Sequence, residues 1–271
     1  MYRNLLVYIV RHGETNENRL GIIQGQLDTQ LNDAGKVQAE LTGRSLKDVN
    51  LVRAYSSDSS RASDTARRIV AYHPGCELVL DRRIRERNMG SLSGTTTAVK
   101  RPYPPGVETS ASMEVRLRDF WESIILPLLS PSAHTSGDFG NSCSNVGAVP
   151  TDKQIRDIEL RGSHIPAVLL VSHGATISKL VNEVLLQTCG YKLACEMRFG
   201  IYNTSISIVR MDAATEISRT LSKNDENGVG ESDPLTVSVS GVLLSFASIA
   251  HLNQKHDIVV ENADILGQGS L

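Results

Sequence analysis

Two His-Gly pairs, His12-Gly13 and His173-Gly174, each stand one residue beyond a short apolar run, and Arg11, Arg61 and Glu86 accompany them. A neutral imidazole can act as nucleophile or base, a guanidinium fork matches phosphate oxygens bidentately, and a carboxyl group can pass a proton. This set of side chains asks for a phosphate. A metal site would have to use His12, His173 and Glu86, but arginines beside those ligands would repel a cation, so neither metal nor other cofactor is expected. Backbone N–H groups at the start of the helix near Ala175 would add to an anion pocket.

The elements that position these groups follow from periodicity. Leu5 to Val10 is a buried strand ended by Arg11, His12 and Gly13, and α/β folds place their chemistry where such strands end. Asn32 reads as the N-cap of a helix from about Ala34 to Leu46, and a second strand covers 51 to 57. Ser57 or Asp58 would cap the next helix, whose apolar positions are Ala62, Ala66, Ile69 and Val70, which places Arg61 in its first turn. A third strand is expected at 77 to 81. The polar segment 83 to 94 carries Glu86 on a loop between Arg85 and Arg87, which favour its ionised form, although neighbours in an extended chain point to opposite faces. Met113, Leu117, Phe120, Ile124 and Leu128 mark an amphipathic helix perturbed by Pro127. Ala167 to Val171 is a strand leading into His173 and a helix with Ile177, Leu180, Val181, Val184 and Leu185 on its apolar face. Two β-rich segments follow, at 205 to 211 and 236 to 247. This alternation argues for one α/β domain over 1–271 with a mostly parallel sheet, interrupted by a flexible Ser/Gly/Asn/Pro-rich insertion at about 130–165.

Composition narrows the function. The 271 residues hold 28 basic and 30 acidic side chains for a net charge of −2, which favours neither nucleic acid nor membrane as partner. Four cysteines without CxxC spacing read as reduced thiols in a cytoplasmic compartment, and the N-terminal apolar run is too short for a targeting segment.

RHGET at 11–15, SSDSSRASDTA at 56–66, RERNMG at 85–90 and SHGA at 172–175 together resemble the histidine phosphatase superfamily, the phosphoglycerate mutase-like fold. Shorter matches, IIQGQ at 22–26, PPGVET at 104–109, DFWE at 119–122 and HLN at 251–253, are most similar to its fructose-2,6-bisphosphatase-type members. The resemblance implies a three-layer α/β/α sandwich and a double displacement. His12 would be the nucleophile, Arg11, Arg61 and His173 would hold the phosphoryl oxygens, and Glu86 would protonate the leaving alkoxide and then activate water. Asn18 matches a phosphate-binding position, though it could equally cap a turn; Thr15, Gln24 and Gly25 lie where substrate would pass, or structure the loop.

Substrates implied by the resemblance are small phosphorylated metabolites such as fructose 2,6-bisphosphate or 2,3-bisphosphoglycerate, whose second phosphate needs positive charge at the rim. Arg85, Arg87, Lys100 and Arg101 are candidates. A mutase that returns the phosphoryl group to a sugar acid is an alternative, but NENRLGIIQGQ lacks the tryptophan-containing motif of typical mutases after RHG. A protein-directed phosphatase or a binding protein is a third.

Overall fold

The computed structural model describes residues 2–96, 103–130, 164–197, 200–217 and 235–252. The expected insertion falls almost wholly in 131–163, outside the described residues, as do Lys100, Arg101 and Asn253. In chain order the strands are β1 (Asn4–Arg11), β2 (Leu51–Ser56), β3 (Leu78–Leu80), β4 (Ala167–Ser172), β5 (Lys192–Leu193), β6 (Ile206–Ile217) and β7 (Leu235–Ser248). The α-helices are α1 (Asn16–Arg19), α2 (Asp33–Leu46), α3 (Ser60–Val70), α4 (Ser110–Phe120) and α5 (Gly174–Lys179).

The strands form one sheet in the order β3-β2-β4-β1-β6-β7-β5. β1, β2, β3 and β4 pair in parallel, β6 is antiparallel to both β1 and β7, and β5 is parallel to β7. Among the described strands only β6 therefore runs against the rest, and the sheet is mostly parallel as expected. Successive side chains of the unbroken apolar run in β1 serve opposite layers, as the two-residue period of a strand requires. Leu5, Val7 and Ile9 pack with Met113, Leu117 and Phe120 of α4 and with Ile177 of α5. Leu6, Tyr8 and Val10 pack with Leu46 of α2 and Ala62, Ala66 and Ile69 of α3. Helices on both faces of one sheet make the three layers.

Two expectations shift in detail. Past Phe120 the chain adopts a π-helical turn, Trp121–Ile125, and Pro127 sits in a 3-10 turn, Leu126–Leu128. The wider turn changes the helical phase, so Trp121 and Ile125 are fully buried, whereas Ile124 and Leu128 are only partly so. The N-cap of α3 is Ser59, not Ser57 or Asp58, and its side chain makes no capping bond. Asp28 does that work from a distant loop, accepting the Ser60 N–H at 2.7 Å and its hydroxyl at 2.8 Å.

Candidate active site

Arg11 pairs with Ser172 across the parallel β1–β4 register, and His12 N–H donates to the Ser172 carbonyl at 2.9 Å. The residues that follow these two strand ends are the histidines, which is why side chains distant in sequence meet: their ring centroids lie 5.1 Å apart. Both are buried. His12 Nδ1 lies 2.7 Å from the Gly13 carbonyl, which can only accept, so Nδ1 carries the proton and Nε2 the lone pair. Burial, then the charges of Arg61 and Arg11, hold His12 well below the ordinary histidine range against the opposing effect of the Gly13 carbonyl. The ring is neutral at neutral pH. His173 is lowered by burial and then by Arg61, His12, Arg11 and Arg116. Its Nε2 shares a 2.9 Å hydrogen bond with Ser57 Oγ, and its Nδ1 has no partner among the described residues.

The loop that carries His12 is clamped to α2 through its backbone. A Cβ on Gly13 would meet the Gly35 carbonyl at 2.5 Å, and one on Gly35 would meet the Glu14 carbonyl at 2.1 Å, so both positions need glycine for close approach. Glu14 N–H donates to Gln38 Oε1 at 2.9 Å, Asn32 N–H donates to the Glu14 carbonyl at 3.0 Å, and Gly13 N–H donates to Thr65 Oγ1 at 3.0 Å. The buried Glu14 carboxylate accepts Asn32 Nδ2 at 2.7 Å and pairs with Arg19.

Both arginines are buried and oriented by main-chain carbonyls. Arg11 Nη1 donates to Ile201 O at 2.6 Å; Arg61 donates to Leu27 O at 2.7 Å and to Gly25 O at 2.8 Å. Gly25, with φ +51°, thus serves as an acceptor for Arg61 in a conformation that favours glycine. Gln24 accepts the Thr29 hydroxyl within the same loop. Thr15 and Asn18 form a capping box for α1: Thr15 N–H donates to Asn18 Oδ1 at 3.1 Å and Asn18 N–H to Thr15 Oγ1 at 3.2 Å. The turn-capping role of Asn18 is therefore present in this structure.

Glu86 reaches the start of α5. Its carboxylate accepts the Ala175 N–H at 3.1 Å, the Thr176 hydroxyl at 3.1 Å and the Arg87 N–H at 2.7 Å. The Ala175 N–H, expected to face an anion, is thus spent on the carboxylate of Glu86. The flanking guanidiniums are directed elsewhere: Arg85 forms a fork with Asp58 at 2.5 and 2.6 Å, and Arg87 donates to Glu108 O at 2.7 Å and stacks over Tyr103 at 5.1 Å. Arg85 is therefore held by an ion pair through two of its donor nitrogens. Arg116 holds this loop to α4, donating to the carbonyls of Arg83, Arg85 and Glu86 and bidentately to Glu108 at 2.7 and 2.9 Å. Burial pushes the Glu108 carboxyl up, but Arg116, the Asn88 N–H and the Arg87 charge outweigh it and hold the group below the usual carboxylate range.

The sequence profile of the histidine phosphatase superfamily (branch 1) matches residues 7–125. Fructose-2,6-bisphosphatase TIGAR of Xenopus tropicalis is 32% identical over 65% of this chain and 74% of its own length. The chain belongs to the histidine phosphatase superfamily. GpmB of Erwinia tasmaniensis, named as a probable phosphoglycerate mutase, is 33% identical over 76% of this chain and 84% of its own. A solved structure of mycobacterial glucosyl-3-phosphoglycerate phosphatase shares the fold, with a TM-score of 0.55 at 24% identity, covering 77% of this chain and 91% of that one.

In this member of the superfamily several supporting residues stand outside any motif that points to chemistry: Asp28, Gln38, Arg116 and Asn203. Arg116 lies on an expected helix and shows only as one more polar position. Asn203 and Thr204 precede a strand with no cue beyond turn-forming residue types.

Proposed function

We propose that the chain is a phosphoric monoester hydrolase for small phosphorylated metabolites, acting through a phosphohistidine. The observation that carries this reading is the buried, neutral Nδ1–H tautomer of His12 beside Arg11 and Arg61, with Glu86 anchored on the next strand-end helix. Nε2 of His12 attacks phosphorus; the P–N bond forms as the P–O bond to the leaving group breaks, and protonated Glu86 gives its proton to the departing alkoxide. Arg11, Arg61 and His173 stabilise the charge that builds on the phosphoryl oxygens. In the second half Glu86, now a carboxylate, takes a proton from water, water oxygen attacks phosphorus, and the P–N bond breaks to restore His12. Asn18 adds a hydrogen bond to the phosphoryl group.

The similarity to a fructose-2,6-bisphosphatase supports fructose 2,6-bisphosphate or 2,3-bisphosphoglycerate as substrate type. The free thiols Cys76, Cys189 and Cys195 among the described residues fit a reducing, cytoplasmic setting. The comparable similarity to GpmB favours a second reading, a mutase that returns the phosphoryl group to a sugar acid. A panel of phosphorylated metabolites, assayed for released inorganic phosphate and for isomerised phosphate esters, separates the two. Release of phosphate without isomer is expected; isomer with little free phosphate would transfer the assignment to the mutase.

A further inference from the structure

The 201–205 turn belongs to no motif, yet it grips three of the residues assigned to chemistry. The turn is closed by Ser205 N–H donating to Tyr202 O at 3.0 Å. Arg11 donates through Nη1 to Ile201 O at 2.6 Å and through its main-chain N–H to Ser205 O at 3.2 Å. Thr204 N–H is shared between the carbonyls of Arg11 at 3.0 Å and His12 at 3.2 Å. Asn203 Nδ2 donates both to the His12 carbonyl at 3.0 Å and to Asn18 Oδ1 at 3.2 Å.

The turn holds this arrangement at a cost. Thr204 is β-branched, fully buried and in the left-handed region at φ +54°. Its hydroxyl and Asn203 Oδ1 are buried without a hydrogen-bond partner among the described residues. Strain and orphaned polar atoms of this kind persist where surrounding structure imposes them, and they concentrate at functional sites.

We propose that Asn203 is a positioning residue that orients Asn18 for phosphate. Asn18 Oδ1 accepts from Thr15 N–H, Thr15 Oγ1 and Asn203 Nδ2, and three donors converging on one oxygen fix which end of the amide is acceptor and which is donor. An oxyanion is bound by the donor end, and the clamp prevents the flip that would present the acceptor. The same Asn203 amide holds the His12 carbonyl, so nucleophile and phosphate ligand share one brace. The inference rests on the phosphatase reading above.

The test is a double-mutant cycle on full-length protein, read as the inhibition constant for orthovanadate, with melting temperature followed in parallel. Asn203→Ala should weaken vanadate about tenfold in the wild-type background, the order expected for loss of an oriented hydrogen bond to a charged ligand. In an Asn18→Ala background the same change should weaken it by no more than about threefold, the share that passes through the His12 carbonyl. Asn203→Leu, which keeps the branched shape, removes the donors and adds no charge, should repeat both results and serves if the alanine variant does not fold. Equal factors in the two backgrounds would overturn the proposal and leave the phosphatase reading standing. A wild type that does not bind vanadate would overturn both.

Discussion

The two halves of the candidate site are built differently. Around His12 the chain is held by backbone contact and buried amides: Gly13 against Gly35, Glu14 N–H on Gln38, and the Asn203 brace. Around Glu86 the loop is held by side-chain charge, with Arg116 on three carbonyls and on Glu108, and Arg85 on Asp58. Contacts fixed by close packing tolerate almost no displacement, because interiors have no space to yield. Partly buried ion pairs such as these still have solvent on one side, into which a displaced side chain can move. The His12 half is thus set for one geometry, and the Glu86 half, which meets the leaving group on the proposed mechanism, is the more adaptable.

If that contrast is right, the largest effect should come from the packed half. Gly35→Ala brings a methyl group to 2.1 Å from the Glu14 carbonyl, a clash with backbone that no rotamer relieves. It should destabilise the fold by about 3 kcal/mol and lower turnover of every substrate alike. Chemical denaturation and steady-state assay check both; an unchanged midpoint would mean that the α2 contact is not tight in solution.

A smaller and more selective loss should follow in the other half. Arg116→Ala frees the loop that carries Glu86, so cleavage of alkyl phosphates, which need a proton on the leaving oxygen, should fall by roughly 10²-fold. The nitrophenolate burst from p-nitrophenyl phosphate, whose leaving group needs less help, should fall several times less. Equal slowing of both would show that Arg116 supports the whole pocket and not the acid.

The smallest effect is one of pH. His12 and His173 are buried neutral, and His251, partly buried beside Thr42, is pushed down to about 4 by desolvation. All three have folded values below that of the unfolded chain, near 6.5, so the unfolded state takes up more protons as pH falls through that value. Their stabilisation is complete above about pH 7 and is lost below 6.5, at up to roughly 1.4 kcal/mol per pH unit per histidine. The same shift keeps His12 unprotonated in mild acid, so the acid limb of kcat/KM assigned to it should lie below 6.5. Urea titrations at several pH values and a pH–rate profile measure the two consequences.

The same division decides what the sequence reveals. The strand ends at His12 and His173, the helices α2, α3 and α5, and the loop position of Glu86 are legible because apolar period and glycine placement are local signals. The phase slip at Trp121 is not, since a π-helical turn leaves the apolar residues in an acceptable helical pattern. Asp28 capping α3, Asn203 bracing His12 and the commitment of Arg85 to Asp58 are equally hidden. Each is a bond between residues far apart in the chain, made by one polar side chain with no periodicity to mark it. The donation of Ala175 N–H to the Glu86 carboxylate instead of to a bound phosphate has the same origin: the helix start is legible, but which acceptor reaches it is not.

The proposed chemistry turns on a covalent bond between His12 Nε2 and phosphorus. Rapid quenching after mixing with a ³²P-labelled phosphate monoester tests it most directly. Wild-type protein should retain label that is lost in acid and stable in alkali, as a phosphoramidate is, and Glu86→Gln should not abolish the site of labelling. His12→Ala should fold normally by circular dichroism, carry no label and keep no more than a few per cent of wild-type turnover. Label of the same stability on His12→Ala, or turnover approaching that of wild type, would contradict the account.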